Sequence, residues 1–248
     1  MFKKILLLSF LISCSAQYLN LNHKHYFRVQ PQEIVWLQLA DLKYETLDMV
    51  KNSTLIQENK FYNQFTCVGS LWTDSAASHH LQSLIQLSGN RYLDKLCPEI
   101  KMDYIWDYFK DERYDISLID IGVKTSESFS SLKQCGEKFE NTHLFQENNM
   151  NVLSTQVAQN KKTKKLTIIR DFETNNTANW EKKIMDILAW QAQKKTRLFV
   201  ISSVSLKTSQ NSITPVFASG ASSENFCGMM SSHQLLERFI TGMKYSLW

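Results

Sequence analysis

In EIVWLQLAD, Glu33 to Asp41, aliphatic, β-branched and aromatic residues follow one another without alternation and stop at an aspartate. A strand with one wet face alternates polar and apolar residues, whereas a continuous apolar run fits a strand buried on both faces. Runs of the same kind recur as DISLIDIG (Asp115 to Gly122), LTIIRDF (Leu166 to Phe172), RLFVISSV (Arg197 to Val204) and TPVFASG (Thr214 to Gly220), each bounded by polar or turn residues. Between them apolar residues fall at helical spacing. These stripes are Leu47, Val50 and Leu55; Met102, Ile105, Trp106 and Phe109; Trp180, Ile184, Ile187 and Leu188; and Leu235, Leu236, Phe239, Ile240 and Met243. Strands alternating with helices make a mostly parallel central sheet covered on both faces, a three-layer α/β/α sandwich. Such sheets meet their ligands beyond the carboxyl ends of the strands, so the strand tips are where chemistry is to be sought.

Composition bounds the answer. A chain of 248 residues with 43% apolar and 12% aromatic content is ample for one substantial domain and argues against disorder. Its first residues, MFKKILLLSFLISCSAQ, place Lys3 and Lys4 before an apolar run and then small residues, the layout of a secretory signal peptide over 1–16 with cleavage before Gln17. The same letters also suit a bacterial lipoprotein signal with Cys14 lipidated. The run is too short to span a bilayer, so export to the outside is expected without a stable membrane span, and 17–248 is read as one domain. The formal charge of +4 falls by the two leader lysines, so nucleic acid is not an implied partner. The KKTKK stretch, Lys161 to Lys165, is read as a solvated loop. Beyond the leader, Cys67, Cys97, Cys135 and Cys227 are even in number and lack C-x-x-C spacing, which favours one or two disulfides of open connectivity over a cysteine zinc site. Asn52 in NST and Asn175 in NNT are glycosylation acceptors if the secretory route is eukaryotic.

The segment SLWTDSAASHH, Ser70 to His80, reads as a strand tip running into a helix start. Backbone N–H groups at a helix start carry partial positive charge, so the Ser75 hydroxyl there suits an anion, such as a small phosphorylated ligand, or a nucleophile attacking one. The plainer reading makes Thr73 or Asp74 an N-cap and Ser75 an ordinary first-turn residue.

Taken in order, Asp41 after IVWLQLA, TDSAAS at Thr73 to Ser78, VKTSESFSS after DISLIDIG, and TPVFASGASSENFCG at Thr214 to Gly228 resemble the alkaline phosphatase family. The resemblance implies an alkaline-phosphatase-like sandwich, a phosphomonoesterase ancestry, zinc and magnesium as cofactors, and a homodimer. It implies Ser75 at the nucleophile position with Asp74 before it, and Asp41 as a metal-binding residue. In a shifted register Asp171 or Glu173 substitutes for the family's metal-binding glutamate, while the spaced zinc-binding Asp and His that follow it have no counterpart. Cys97 and Cys135 resemble the first disulfide pair of animal-type members. The chain is shorter than usual members, so the domain is read as truncated.

Departures are as informative. Ala40 and Leu42 replace the glycines that flank the family's aspartate, and Ser126, Ser128 and Phe129 fall where its magnesium loop should be. Ser203 and Val204 stand in place of a metal-binding Asp-His pair, KTSQNSIT lacks the last zinc histidine, and Lys138 is no bidentate replacement for a phosphate-clamping arginine. His23, His25, His79, His80, His143 and His233 are not expected to ligate metal, His143 because it sits in a polar loop. Zinc and magnesium sites need converging carboxylates and imidazoles. The expectation is therefore a degenerate secreted protein that keeps the scaffold and has lost catalytic competence. Residual metal-dependent hydrolysis through Ser75 and a phosphate-, anion- or protein-binding module are the alternatives.

Overall fold

The computed structural model describes residues 30–42, 67–73, 79–88, 109, 113–121, 142–147, 164–172, 177–205, 212–232 and 234–240. The strands are β1 (Glu33–Ala40), β2 (Cys67–Thr73), β3 (Tyr114–Ile121), β4 (Thr142–Glu147), β5 (Lys164–Asp171), β6 (Arg197–Val204), β7 (Ser212–Gly220) and β8 (Gly228–Ser231). The helices are α1 (His79–Ser88), α2 (Thr177–Ala192) and α3 (Gln234–Ile240), with a 3-10 turn at Ser223–Phe226. One eight-stranded sheet runs in the order β4-β3-β5-β1-β6-β7-β2-β8.

β1 lies at the middle of this sheet, parallel to β5 on one side and β6 on the other. Beyond its first residue every position of β1 is buried, as is all of β6, which is why their sequences show no alternation. Below the sheet in one layer, Trp180, Ile184, Ile187 and Leu188 of α2 pack on Val35, Leu37, Ile169, Phe199 and Ile201. In the opposite layer α1 and α3 bring Ile85, Leu87, Leu235, Leu236 and Phe239 to Trp36, Ile168 and Val200. There Phe239 packs its ring 4.7 Å from both Trp36 and Phe226, and Phe109 meets Tyr114 edge-on at 5.1 Å. These layers give the three-layer sandwich expected from the sequence.

Only β7 runs against its neighbours. Its start therefore lies at the carboxyl edge of the other strands, and its end, Gly220, lies at the amino edge beside Leu198. Consequently ASGASSENFCG does not join Asp41 at the carboxyl edge. Gly220 takes φ +98°, a left-handed conformation glycine adopts at no steric cost, and a Cβ there would strike the Arg197 carbonyl. The chain then turns through Ser223–Phe226 and returns as β8, parallel to β2. A Cβ on Gly69 would run into the carbonyls of Phe226 and Gly228, so this strand position needs glycine for close approach.

Two elements differ from the sequence reading. Lys164 and Lys165 belong to β5 rather than to a loop, with Lys165 in register with Glu33. His143 lies in β4, paired with Ser117 of β3, because a parallel neighbour supplies the ladder that its polar surroundings did not announce. Thr73 closes β2, and its hydroxyl meets that of Ser232 at 2.8 Å. On the amino edge, Glu33 accepts from Lys194 and Arg197, each at 2.9 Å. Burial opposes ionisation of Glu33, but these two cations outweigh it and hold the carboxyl below its ordinary range.

A disulfide joins Cys67 at the start of β2 to Cys227 just before β8, with Cα atoms 5.1 Å apart across a separation of 160 positions. Closing so long a loop restricts the unfolded chain by about 5 kcal/mol in the chain-entropy account. The double substitution Cys67→Ala/Cys227→Ala is expected to lower the unfolding free energy in urea by about 3–5 kcal/mol. A loss under about 1 kcal/mol would show that β8 is secured by its other contacts.

Candidate functional site

The carboxyl edge collects the tips of seven strands, all but β7, and on it the structure brings Asp41 and Asp171 to neighbouring positions. Asp41 follows β1 directly and takes φ 50°, a left-handed backbone that aspartate tolerates better than most residues. Its N–H donates to the Val204 carbonyl at 2.8 Å, extending the β1–β6 ladder by one bond. Asp171 is the last residue of β5, in register with Leu39. Thr73, also at this edge, is separated from β1 by β6 and β7, about 14 Å at the usual strand spacing. Asp74 and Ser75 follow Thr73 and lie outside the described residues, as do Cys14, Asn52, Cys97, Ser126, Cys135, Lys138, Glu173 and Asn175.

The helix that follows this segment is fixed by polar contacts. Gln82, Ser83 and Gln86 of α1 are all buried against the sheet. Gln82 donates to the Ser205 carbonyl at 3.0 Å and accepts from the Ser205 N–H at 2.9 Å, while Gln86, one turn further on, donates to the Ser203 carbonyl at 2.9 Å. The Gln86 side-chain oxygen accepts from Gln38 at 3.1 Å and from the Ser202 hydroxyl at 2.7 Å, and Ser83 donates to Gln38 at 2.6 Å. Trp36 completes the set by donating its indole N–H to Ser202 at 2.9 Å. Because Ser205 lies past the tip of β6 and Ser203 within it, α1 runs from the carboxyl edge towards the amino edge. Its N-terminus is thereby held at the same edge as Asp41.

Three further charges at this edge, Asp120, Arg170 and Asp171, have protein partners. Asp120, Arg170, Gln38 and Ser202 form one in-register row across β3, β5, β1 and β6, just inside the edge. Arg170 is fully buried, and its Nη2 donates to Asp120 Oδ2 at 2.7 Å. Burial pulls the guanidinium below its ordinary pKa, and the Asp120 carboxylate pushes back against that. On the opposite sheet face, Asp171 accepts from the Trp180 indole at 3.2 Å and pairs with Lys183 at 3.8 Å, which ties β5 to α2. At the tip of β6, Ser203 is buried with no hydrogen-bond partner for its hydroxyl among the described residues, and Val204 follows it.

Sequence reasoning missed Gln38, Gln86, Ser202 and Lys183. The available signal was a polar letter inside an all-apolar strand: Gln38 in IVWLQLA and Arg170 in LTIIRDF each demand a buried partner.

No family model and no curated protein matches the sequence. Solved structures do match its fold. Alkaline phosphatase from the Antarctic bacterium TAB5 superposes with a TM-score of 0.59 at 12% identity, over 88% of this chain and 99% of that one. The C-terminal periplasmic domain of EcEptC from Escherichia coli, in complex with zinc, gives 0.53 at 10% identity over 84% and 80% of the two chains. The soluble domain of lipooligosaccharide phosphoethanolamine transferase A from Neisseria meningitidis gives 0.50 at 8% identity over 86% and 88%. The fold is alkaline-phosphatase-like, as the resemblance implied.

A mutant of the TAB5 enzyme is described with magnesium bound, and the EcEptC domain with zinc. The residues described in this chain do not fit such ions. Zinc takes about four and magnesium about six ligands, several from Asp, Glu or His side chains, yet among the described residues no three of His, Cys, Asp and Glu converge. Asp171, one of the two strand-tip aspartates, is engaged by Trp180 and Lys183. Among the described residues, no helix is long and apolar enough to cross a membrane.

Gln86→Leu would strip partners from Gln38, Ser202 and the Ser203 carbonyl inside a buried layer. It is expected to lower stability in urea unfolding by about 3 kcal/mol, from about 1–3 kcal/mol for each group left unsatisfied. A change below about 0.5 kcal/mol would mean that this network does not hold α1 on the sheet.

Proposed function

We propose that this chain is an exported alkaline-phosphatase-like domain that keeps the scaffold of its structural neighbours and is impaired or inactive as a phosphomonoesterase. The observation that supports this reading is the engagement of two carboxylates near the strand tips: Asp120 with Arg170, and Asp171 with Trp180 and Lys183. Phosphoryl transfer needs positive charge facing the transferred group and a deprotonated nucleophile beside it, and metal ions supply both in metallophosphatases. Each of those effects is worth several kcal/mol, and about 1.4 kcal/mol is a factor of ten in rate. A site short of metal ligands therefore loses many powers of ten.

In this reading Ser75 occupies the nucleophile position with Asp74 beside it, and Asp41 is the strand-tip carboxylate nearest in role to a metal ligand. Export is supported by the leader over 1–16, and by the periplasmic setting named for the EcEptC domain. The mass of the exported chain reads its start directly, at Gln17 or at a lipidated Cys14.

The test is hydrolysis of an aryl phosphate at alkaline pH by the purified exported protein with added zinc and magnesium, run beside Ser75→Ala. The expected outcome is no turnover above background in either protein. Hydrolysis by the native chain that disappears in Ser75→Ala would overturn the reading in favour of a working metal-dependent phosphomonoesterase.

A further inference from the structure

The mismatch between these residues and a metal site carries a consequence for how the fold balances its charge. Arg170 stands on β5 one residue short of the carboxyl edge, with no exposed surface, and is fixed to Asp120 of the adjacent strand at 2.7 Å. Its neighbour Asp171 points to the other face, where Lys183 of α2 approaches to 3.8 Å and Trp180 donates a hydrogen bond. Thus two carboxylates beside the carboxyl edge each meet a cation covalently attached to the chain. A buried carboxylate is costly unless paired, and a divalent ion is one way to pair several of them.

We infer that Arg170, assisted by Lys183, provides from within the chain the positive charge that balances Asp120 and Asp171, so that this part of the fold is complete without a divalent ion. The neighbouring positions of the row, Gln38 and Ser202, are neutral and hydrogen-bonded through Gln86, so the row ends in an ion pair on one side and an amide network on the other. Such an arrangement needs both charges or neither. Removing the guanidinium alone strands Asp120 next to the sheet interior, whereas removing both partners leaves no unpaired charge. The inference does not rest on the absence of phosphatase activity, because a catalytic centre built elsewhere on the chain would leave this ion pair in place.

The experiment is thermal unfolding of the exported protein, with chelator and with added zinc or magnesium, for the native chain, Arg170→Met and Arg170→Met/Asp120→Leu. The native Tm should stay the same with EDTA, zinc or magnesium. Arg170→Met should lose about 10 °C, and the double variant should regain most of that loss. An Arg170→Met chain that does not fold at all, beside a double variant that does, supports the inference equally. A native Tm that falls by several degrees in EDTA would overturn it by showing a structural metal. A double variant as damaged as Arg170→Met, or unfolded with it, would overturn it by showing that shape rather than charge balance is what Arg170 supplies. An aryl phosphate assay on the same native sample separates this result from the fate of the functional reading. Activity with a metal-indifferent Tm would sink that reading alone, and inactivity with a metal-dependent Tm would sink this inference alone.

Discussion

A guanidinium placed in the middle of a parallel sheet with no exposed surface costs several kcal/mol unless a carboxylate meets it, and Asp120 meets Arg170 from the adjacent strand at 2.7 Å. That pair fixes the relation of β3 to β5 one residue from the carboxyl edge. β1 then takes its place between β5 and β6 with both faces covered, and Gln38 continues the polar row to Ser202. The helix before which Ser75 lies is hung on the same row through Gln86 and Ser83. An apolar interface would hold α1 with latitude in rotation and slide, since apolar contact is non-directional. Hydrogen bonds at two successive helical turns, to Ser205 and to Ser203, do not allow that latitude.

The parts of the fold that could be read in the sequence are those whose physics is local. β1, β5 and β6 announce themselves as continuous apolar runs because both faces are buried, and α2 shows its stripe because only one face is. β2 hides its nature: CVGSLWT leaves Val68 and Trp72 exposed and needs glycine at position 69 for a neighbour remote in sequence. β8 is four residues long, and β4 is polar, so neither carries a pattern. The reversed direction of β7 leaves no trace in composition, and it is what sends Gly220 and the following turn to the amino edge. The Cys67–Cys227 bond depends on β2 and β8 being neighbours, which cysteine parity could not say.

The positions of the two strand-tip aspartates were legible for a similar reason. Strand direction puts Asp41 and Asp171 at one edge, since it is shared among parallel strands, but it misplaces TPVFASG, whose strand runs the other way. What those aspartates do depends on side chains from other elements. Lys183 and Trp180 come from α2, and Asp120 from β3, and no spacing rule links them to Asp171 or Arg170. The same contacts explain how a sandwich shaped like those of metal-bearing proteins can exist at about 10% identity. Layer packing and strand order depend on apolar burial, which many sequences satisfy, whereas a metal centre depends on a few donors at fixed positions.

A scaffold that persists without the chemistry of its neighbours should carry little metal, and metal content is the sharpest check on it. Zinc and magnesium in the folded protein, purified without chelator and dialysed against metal-free buffer, can be measured by mass spectrometry of the elements. Well under one ion of either per chain is the expected result. About two zinc ions per chain, the complement of a two-metal hydrolytic centre, would contradict the account and show that the chain assembles a site from residues beyond Asp41 and Asp171.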